Sequence, residues 1–176
     1  YGGGAYGSVG TYTYTNNKIT GYTSGGKCEV NITGGKIGTT GQENGMVFGS
    51  SRGDVSTPVA GVDFNDYLAW VHDTHVVIGT DGSTDNTKPL IKGSVYGGGE
   101  NGHTYTDTKV DIHSGTIGIV EGEEITEGGV TYDGPRYPNR GNVYGGGCGT
   151  DTYQVGDEIF YNLNAGIVLG NTEVNI

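Results

Sequence analysis

An aromatic residue followed by small residues returns at near-constant spacing along the 176-residue chain, and this repeat limits the possible folds more than any other feature. It reads YGGG at 1–4, FGSS at 48–51, YGGG at 96–99 and YGGG at 144–147. The aromatics Tyr1, Phe48, Tyr96 and Tyr144 lie 47, 48 and 48 residues apart. Val47, Val95 and Val143 precede the last three, and Gly7, Gly53, Gly102 and Gly149 follow five or six residues after each aromatic.

A second element alternates apolar and polar residues: CEVNI at 28–32, THVVI at 74–78, TKVDI at 108–112 and TEVNI at 172–176. Each sets Val and Ile two apart, on one face of a strand. The pairs are Val30 and Ile32, Val76 and Ile78, Val110 and Ile112, and Val174 and Ile176. Twice a Gly turn and a further inward Ile follow, in TGGKIG and HSGTIG. In units one, two and four this strand begins 26 to 28 residues after the aromatic, but in unit three only 12 after it. A shared rung of about 32 residues, carrying inserts at two alternative corners, accounts for both spacings and indicates a solenoid.

Composition agrees. Glycine supplies 37 residues, while the strong helix formers Leu and Ala supply four each, which excludes helical bundles and doubly wound enzymes. The expected fold is all-β: a β-solenoid of stacked rungs with hairpin inserts, with a β-propeller-like or sandwich repeat as the alternative. The chain is read as one repeat domain, 1–176, with units starting near 1, 48, 96 and 144. Stacking places aromatic on aromatic, Val on Val and Ile on Ile, about 4.8 Å apart. The glycine triplets are expected to allow positive φ at the corner and to clear the next rung. Asn and Thr ladders are expected on outward positions. The inserts read as hairpins: TYTYT with ITGYT around an Asn16-Asn17-Lys18 turn, and VTYDGPRY (130–137) turning at Asp133-Gly134. FNDYLAW, 64–70, is the one place for a short helix.

The net charge of −11 argues against nucleic acid and anionic membrane surfaces as partners, and no apolar run is long enough to span a membrane. Cys28 and Cys148 fall in units one and four, three rung steps or about 14 Å apart, beyond disulfide reach.

The V-Y-G-G-G, T-x-V-x-I and G-x-I-G rungs resemble the glycine-rich repeats of large surface or secreted proteins of bacteria, particularly Bacteroidetes. The resemblance implies an extracellular or cell-surface adhesin or stalk, and the chain is read as non-catalytic. Both ends fall mid-repeat, so the chain is expected to be a segment of a longer stack or to associate with itself end to end.

Candidate sites are sparse. Tyr12, Tyr14, Tyr22, Tyr132 and Tyr137 lie in the inserts and could stack on sugars of a glycan or host surface, or simply cover the solenoid flank. In DGSTDN, Asp81, Ser83 and Asp85 place oxygens at alternate positions as calcium loops do, but the Gly and Glu of an EF-hand are missing, so turn chemistry is the simpler reading. No other cofactor is implied. His72 and His75 would point to opposite faces of a strand, and His103 and His113 read as surface residues. The Arg52-Gly53-Asp54 tripeptide and the Asn31 sequon read as coincidental. A polysaccharide lyase or hydrolase is the catalytic alternative. Its only groupings are Asp63 with Asp66, and Arg136 and Arg140 opposite Glu123 and Glu124, none of which forms a catalytic motif.

Overall fold

The structure is a computed structural model that describes residues 1–16, 18–39, 45–53, 67–84, 86–118, 122, 124–127, 129–133, 140–150 and 152–176. Among these residues every regular element is a strand. Four sets of short strands run up the molecule, and each set pairs parallel between successive units. The fold is therefore a linear β-solenoid. A propeller or sandwich would pair its strands within a unit.

The longest sheet takes Lys27–Ile32, Asp73–Ile78, Thr108–Ile112 and Thr172–Asn175, in that order along the axis. Its register sets Val30 on Val76, Val76 on Val110, and Val110 on Val174. Ile32, Ile78 and Ile112 stack likewise, while Ile176 lies just past the last paired residue and is exposed. A second sheet joins Lys36–Ile37, Leu90–Ile91 and Thr116–Ile117. A third joins Val47–Phe48, Val95–Tyr96 and Val143–Tyr144. A fourth contact pairs Trp70–Val71 with His103–Thr104, and Val168 bridges to Thr104. The core lies between these walls, where Val47, Val76, Ile78, Ile91, Val95 and Val110 are buried. Alternation along each strand sends these β-branched residues inward and their polar neighbours outward.

The corner glycines correct part of the sequence expectation. None of the glycines in the YGGG triplets, nor Gly49, has positive φ; that conformation falls on the later corner glycines, Gly53 and Gly149. What the first glycine of each triplet supplies is clearance. A Cβ at Gly49 would run into the carbonyl oxygen of Gly97 and sit 2.9 Å from a methyl of Val76. A Cβ at Gly97 would meet the Gly145 carbonyl and lie 3.1 Å from a methyl of Val110. Rungs at strand spacing leave no room there for any side chain.

The inserts sit at two corners, as the spacing requires. Thr11–Thr15 pairs antiparallel with Lys18–Ser24, and Asn16 takes the left-handed conformation (φ 51°) that a tight hairpin turn uses. Glu124–Glu127 pairs antiparallel with Val130–Asp133. Of the hairpin expected over 130–137, Val130–Asp133 is a strand whose partner is Glu124–Glu127, and Gly134 to Tyr137, with the turn expected there, lie outside the described residues. A third hairpin, Thr152–Val155 with Glu158–Tyr161, was not foreseen. The helix expected over 64–70 is absent from its described part, 67–70: Ala69 is left-handed (φ 59°) and Trp70 opens a strand.

Gly97→Ala is expected to destabilise the chain by about 1–3 kcal/mol through overpacking against backbone that cannot move aside. Gly7→Ala, with open space around its Cα, should be near neutral. Urea unfolding of the two variants checks this, and equal midpoints would contradict the clearance argument.

Candidate functional site at the stacked ladders and the end rungs

The aromatic residue of each unit extends the short Val-Tyr strand, so parallel register brings the four rings into one column. Tyr1 stacks on Phe48 at a centroid distance of 4.9 Å, Phe48 on Tyr96 at 5.0 Å, and Tyr96 on Tyr144 at 4.9 Å. The interplanar angles of 9°, 16° and 21° are those of stacked rings. Inside the column each ring's faces are occupied by its neighbours, which leaves edges and hydroxyls at the surface. The Tyr1 hydroxyl donates to the Glu100 carboxylate at 2.5 Å. Burial and that bond push its phenol well above the usual range, and Tyr96 moves the same way through burial and the Cys148 thiol beside it. A groove of about 480 Å³ runs beside the column, lined among others by Tyr96, Tyr144, Glu100, Arg140, Cys148 and Tyr161.

Backbone bonds repeat from rung to rung here. The N–H groups of Gly2, Gly49 and Gly97 donate to the carbonyls of Phe48, Tyr96 and Tyr144, at 2.8–2.9 Å. Those of Gly3, Ser50 and Gly98 donate to Ser50, Gly98 and Gly146. Threonines close the corner from inside: Thr74 Oγ1 donates to the Gly97 carbonyl and Thr108 Oγ1 to that of Gly145, each at 2.6 Å. Both threonines are buried, which corrects their expected outward placement. They share a face with Val and Ile because T-x-V-x-I spaces all three by two. Cys28 occupies the same register position in the first unit.

Outside this sheet the predicted ladder of asparagines becomes a charged cluster. Asp111 accepts from Asn175 Nδ2 at 2.7 Å, lies 2.6 Å from His75 Nε2 and 3.1 Å from Lys109 Nζ. Lys109 also reaches Glu173 at 3.8 Å. The Asn175 amide foremost, then His75 and Lys109, hold the Asp111 carboxyl far below the usual carboxylate range, against the opposing effect of burial.

The sequence-predicted sites fare unevenly. Tyr12 is buried, with its hydroxyl on the Val9 carbonyl, and Tyr22 bonds the Gly25 carbonyl with its ring 3.8 Å from that of His72. Tyr14 is exposed beside a shallow concavity with Ser8, Tyr67 and Leu68. Nothing is described of the Tyr132 side chain, and Tyr137 and Asp85 lie outside the described residues. Asp81 lies 3.4 Å from His113, and Ser83 donates to the Thr80 carbonyl, a side-chain bond back across its own turn. Among the described residues no three His, Cys, Asp or Glu side chains converge as metal ligands. His72 pairs with Asp73 and His75 with Asp111, so they serve different partners. Both cysteines are free.

Arg52 is 3.9 Å from Glu100, and Asp54 lies outside the described residues, as do Asp63, Asp66, Glu123 and Arg136. Arg140 is buried and donates to the Lys92 carbonyl. His103 is the clear correction: it is fully buried, 4.7 Å from Trp70 ring to ring, and its Nδ1 accepts from the Ile167 N–H at 3.3 Å. It sits in register with Trp70 at a corner contact that the repeat did not reveal.

Family models, curated proteins and solved structures were all searched, and none matches this chain. The protein therefore stands as an all-β chain of small parallel sheets, without an identified family.

The Asp111 cluster sets a pH dependence. A carboxyl depressed in the folded state stabilises fully above its unfolded value near 4, and that contribution is lost as pH falls toward the folded value. Asp111→Asn is expected to cost about 1–3 kcal/mol at pH 7 and to flatten the fall in stability below pH 4. Urea midpoints at pH 7 and pH 3 measure both effects.

Proposed function

We propose that the chain is a non-catalytic structural or adhesive β-solenoid of the bacterial cell surface or extracellular space, of the glycine-rich adhesin or stalk kind, which associates with itself end to end into a rod or filament. The observation that carries this reading is the interior stack, whose aromatic and valine ladders repeat the same contact from unit to unit. Interior ladder residues such as Val76, Val110 and Val95 are fully covered. Their counterparts at the ends are open: Tyr1 is 55% exposed, Tyr144 45%, Val174 39% and Ile176 90%. The outermost strands of the long sheet pair on one side only, an edge on which a further rung can add. The aromatic column and the long-sheet ladders have members in both the first and the fourth unit, so these two would continue from one copy into the next.

The interior pattern dictates the joint. Gly145 N–H would donate to the Tyr1 carbonyl of the next copy, Gly146 N–H to that of Gly3, and Thr172 Oγ1 to that of Gly2. Tyr144 would stack on Tyr1. Such a contact is heterologous and does not close, so it propagates as a filament. The acid character supports a partner other than nucleic acid or membrane. A glycan-binding role is the second reading, favoured by exposed Tyr14 over its concavity with Tyr67; glycan-array binding lost in Tyr14→Ala would select it.

Gly146 separates folding from assembly. A Cβ there meets nothing within 4 Å in the single chain, whereas one at the equivalent Gly98 lies 2.7–2.9 Å from the next rung's backbone. Negative-stain microscopy of the purified chain is expected to show rods that persist in reductant. Gly146→Gln should fold with an unchanged melting temperature yet stay monomeric. Discrete monomers of the parent chain at high concentration would contradict the proposal.

A further inference from the structure

Parallel register does more to the ring column than cover its faces. Tyr96 and Tyr144 are partners on adjacent parallel strands, so their side chains leave the backbone at the same level and on the same side. The ring centroids are 4.9 Å apart and the planes 21° from parallel. Two side chains of equal length in this arrangement set hydroxyl beside hydroxyl and ortho carbon beside ortho carbon. Tyr12, by contrast, meets Tyr22 and Tyr105 obliquely, at 54° and 61°, and at longer centroid distances of 5.8 and 6.0 Å. The hydroxyls of Tyr12 and Tyr22 are also tied to the Val9 and Gly25 carbonyls.

We propose that Tyr96 and Tyr144 form an oxidative cross-linking site, at which a one-electron oxidant joins the two rings through their ortho carbons into dityrosine and ties the third rung covalently to the fourth. The inference rests on the ring column and its register alone, and holds whether or not copies associate end to end.

The oxidant is hydrogen peroxide activated by a haem peroxidase. Each phenol loses one electron and its hydroxyl proton, and the two electrons and two protons reduce one peroxide to two waters. The two phenoxyl radicals pair their electrons in one carbon–carbon bond between ortho carbons. Each of those carbons then passes its hydrogen to its own ring oxygen, which restores two phenols. The chain ends two hydrogens lighter. Radicals held side by side couple faster than radicals that must meet by diffusion, so the column supplies the alignment this step needs.

The groove beside the column is lined by both rings and gives a small oxidant a way to their edges. It also holds Cys148, whose thiol lies beside Tyr96. A thiol is readily oxidised and can return a hydrogen atom to a phenoxyl radical, so Cys148 competes with the coupling. Phe48 bounds the site. It has no hydroxyl to form a phenoxyl radical, and it stands between Tyr1 and Tyr96, 4.9 Å from one ring and 5.0 Å from the other.

The test treats the dilute purified chain with hydrogen peroxide and a haem peroxidase, isolates the monomer, and maps its tryptic peptides by mass spectrometry alongside dityrosine fluorescence. The expected product is a monomer two hydrogens lighter, in which peptide 93–109 is joined to peptide 141–176 through Tyr96 and Tyr144. Tyr96→Phe and Tyr144→Phe should each lose this link. Tyr161→Phe, on the same groove but outside the column, should keep it. Cys148→Ala, which lacks the competing thiol, should give the same link in higher yield. Phe48→Tyr adds the missing hydroxyl and should create new links from peptide 37–52 to peptide 93–109 or 1–18. Unfolding in urea before oxidation should lower the Tyr96–Tyr144 link roughly tenfold or more. Far-UV circular dichroism confirms that each variant is folded.

Absence of the link from both the folded parent and Cys148→Ala would overturn the proposal, as would a link no more abundant than one between Tyr12 and Tyr22. A link found only in a covalent dimer would overturn it too, since that product reports contact between copies and bears on the end-to-end reading instead.

Discussion

The carbonyl oxygens of one rung sit where the Cβ of the neighbouring corner residue would be, and this single steric fact sets the rest of the molecule. At a rung spacing of about 4.8 Å the YGGG corner tolerates no side chain on its first glycine. With the corner stripped bare, the adjacent ring drops onto the ring below at 4.9–5.0 Å, and the buried threonine reaches across to a glycine carbonyl at 2.6 Å. The Val and Ile ladders then fall into register without further instruction. Inserts attach wherever the chain leaves the column, because a loop at a corner does not alter the spacing between rungs.

The ladders were legible in the sequence because they depend on period and alternation alone. Tyr1, Phe48, Tyr96 and Tyr144, and Val30, Val76, Val110 and Val174, stack in the order their spacing requires. Features that depend on what a residue meets in the third dimension were less visible. The triplet glycines were expected to serve positive φ, yet they serve clearance, which only the position of the next carbonyl reveals. Thr74 and Thr108 were expected outside, although the spacing that put Val and Ile inside applies to them too. Polar character hid an inward position whose partner is backbone. His103 was missed for a similar reason: its strand is two residues long, too short for any periodic signal.

The candidate site was legible to the same degree. The ladder residues that form the end faces were all named from sequence, while the charged row around Asp111 was not. That row joins residues from three units, and only the register aligns His75 and Asn175 with a carboxylate between them. The tyrosines of the inserts divide by packing: Tyr12 is consumed by the fold and Tyr14 is open to solvent. Sequence could not separate them, since both alternate with threonine in one hairpin.

A stack of this kind has one interface repeated along its length, so the contact that holds the rungs together and the contact that would join two copies share the same chemistry. The ring column reports that contact most directly. In a sample carrying labelled Phe and Tyr rings, nuclear Overhauser contacts are expected from Tyr1 to Phe48, Phe48 to Tyr96 and Tyr96 to Tyr144, in linear order. Absence of the Phe48–Tyr96 contact in a folded sample would contradict the account.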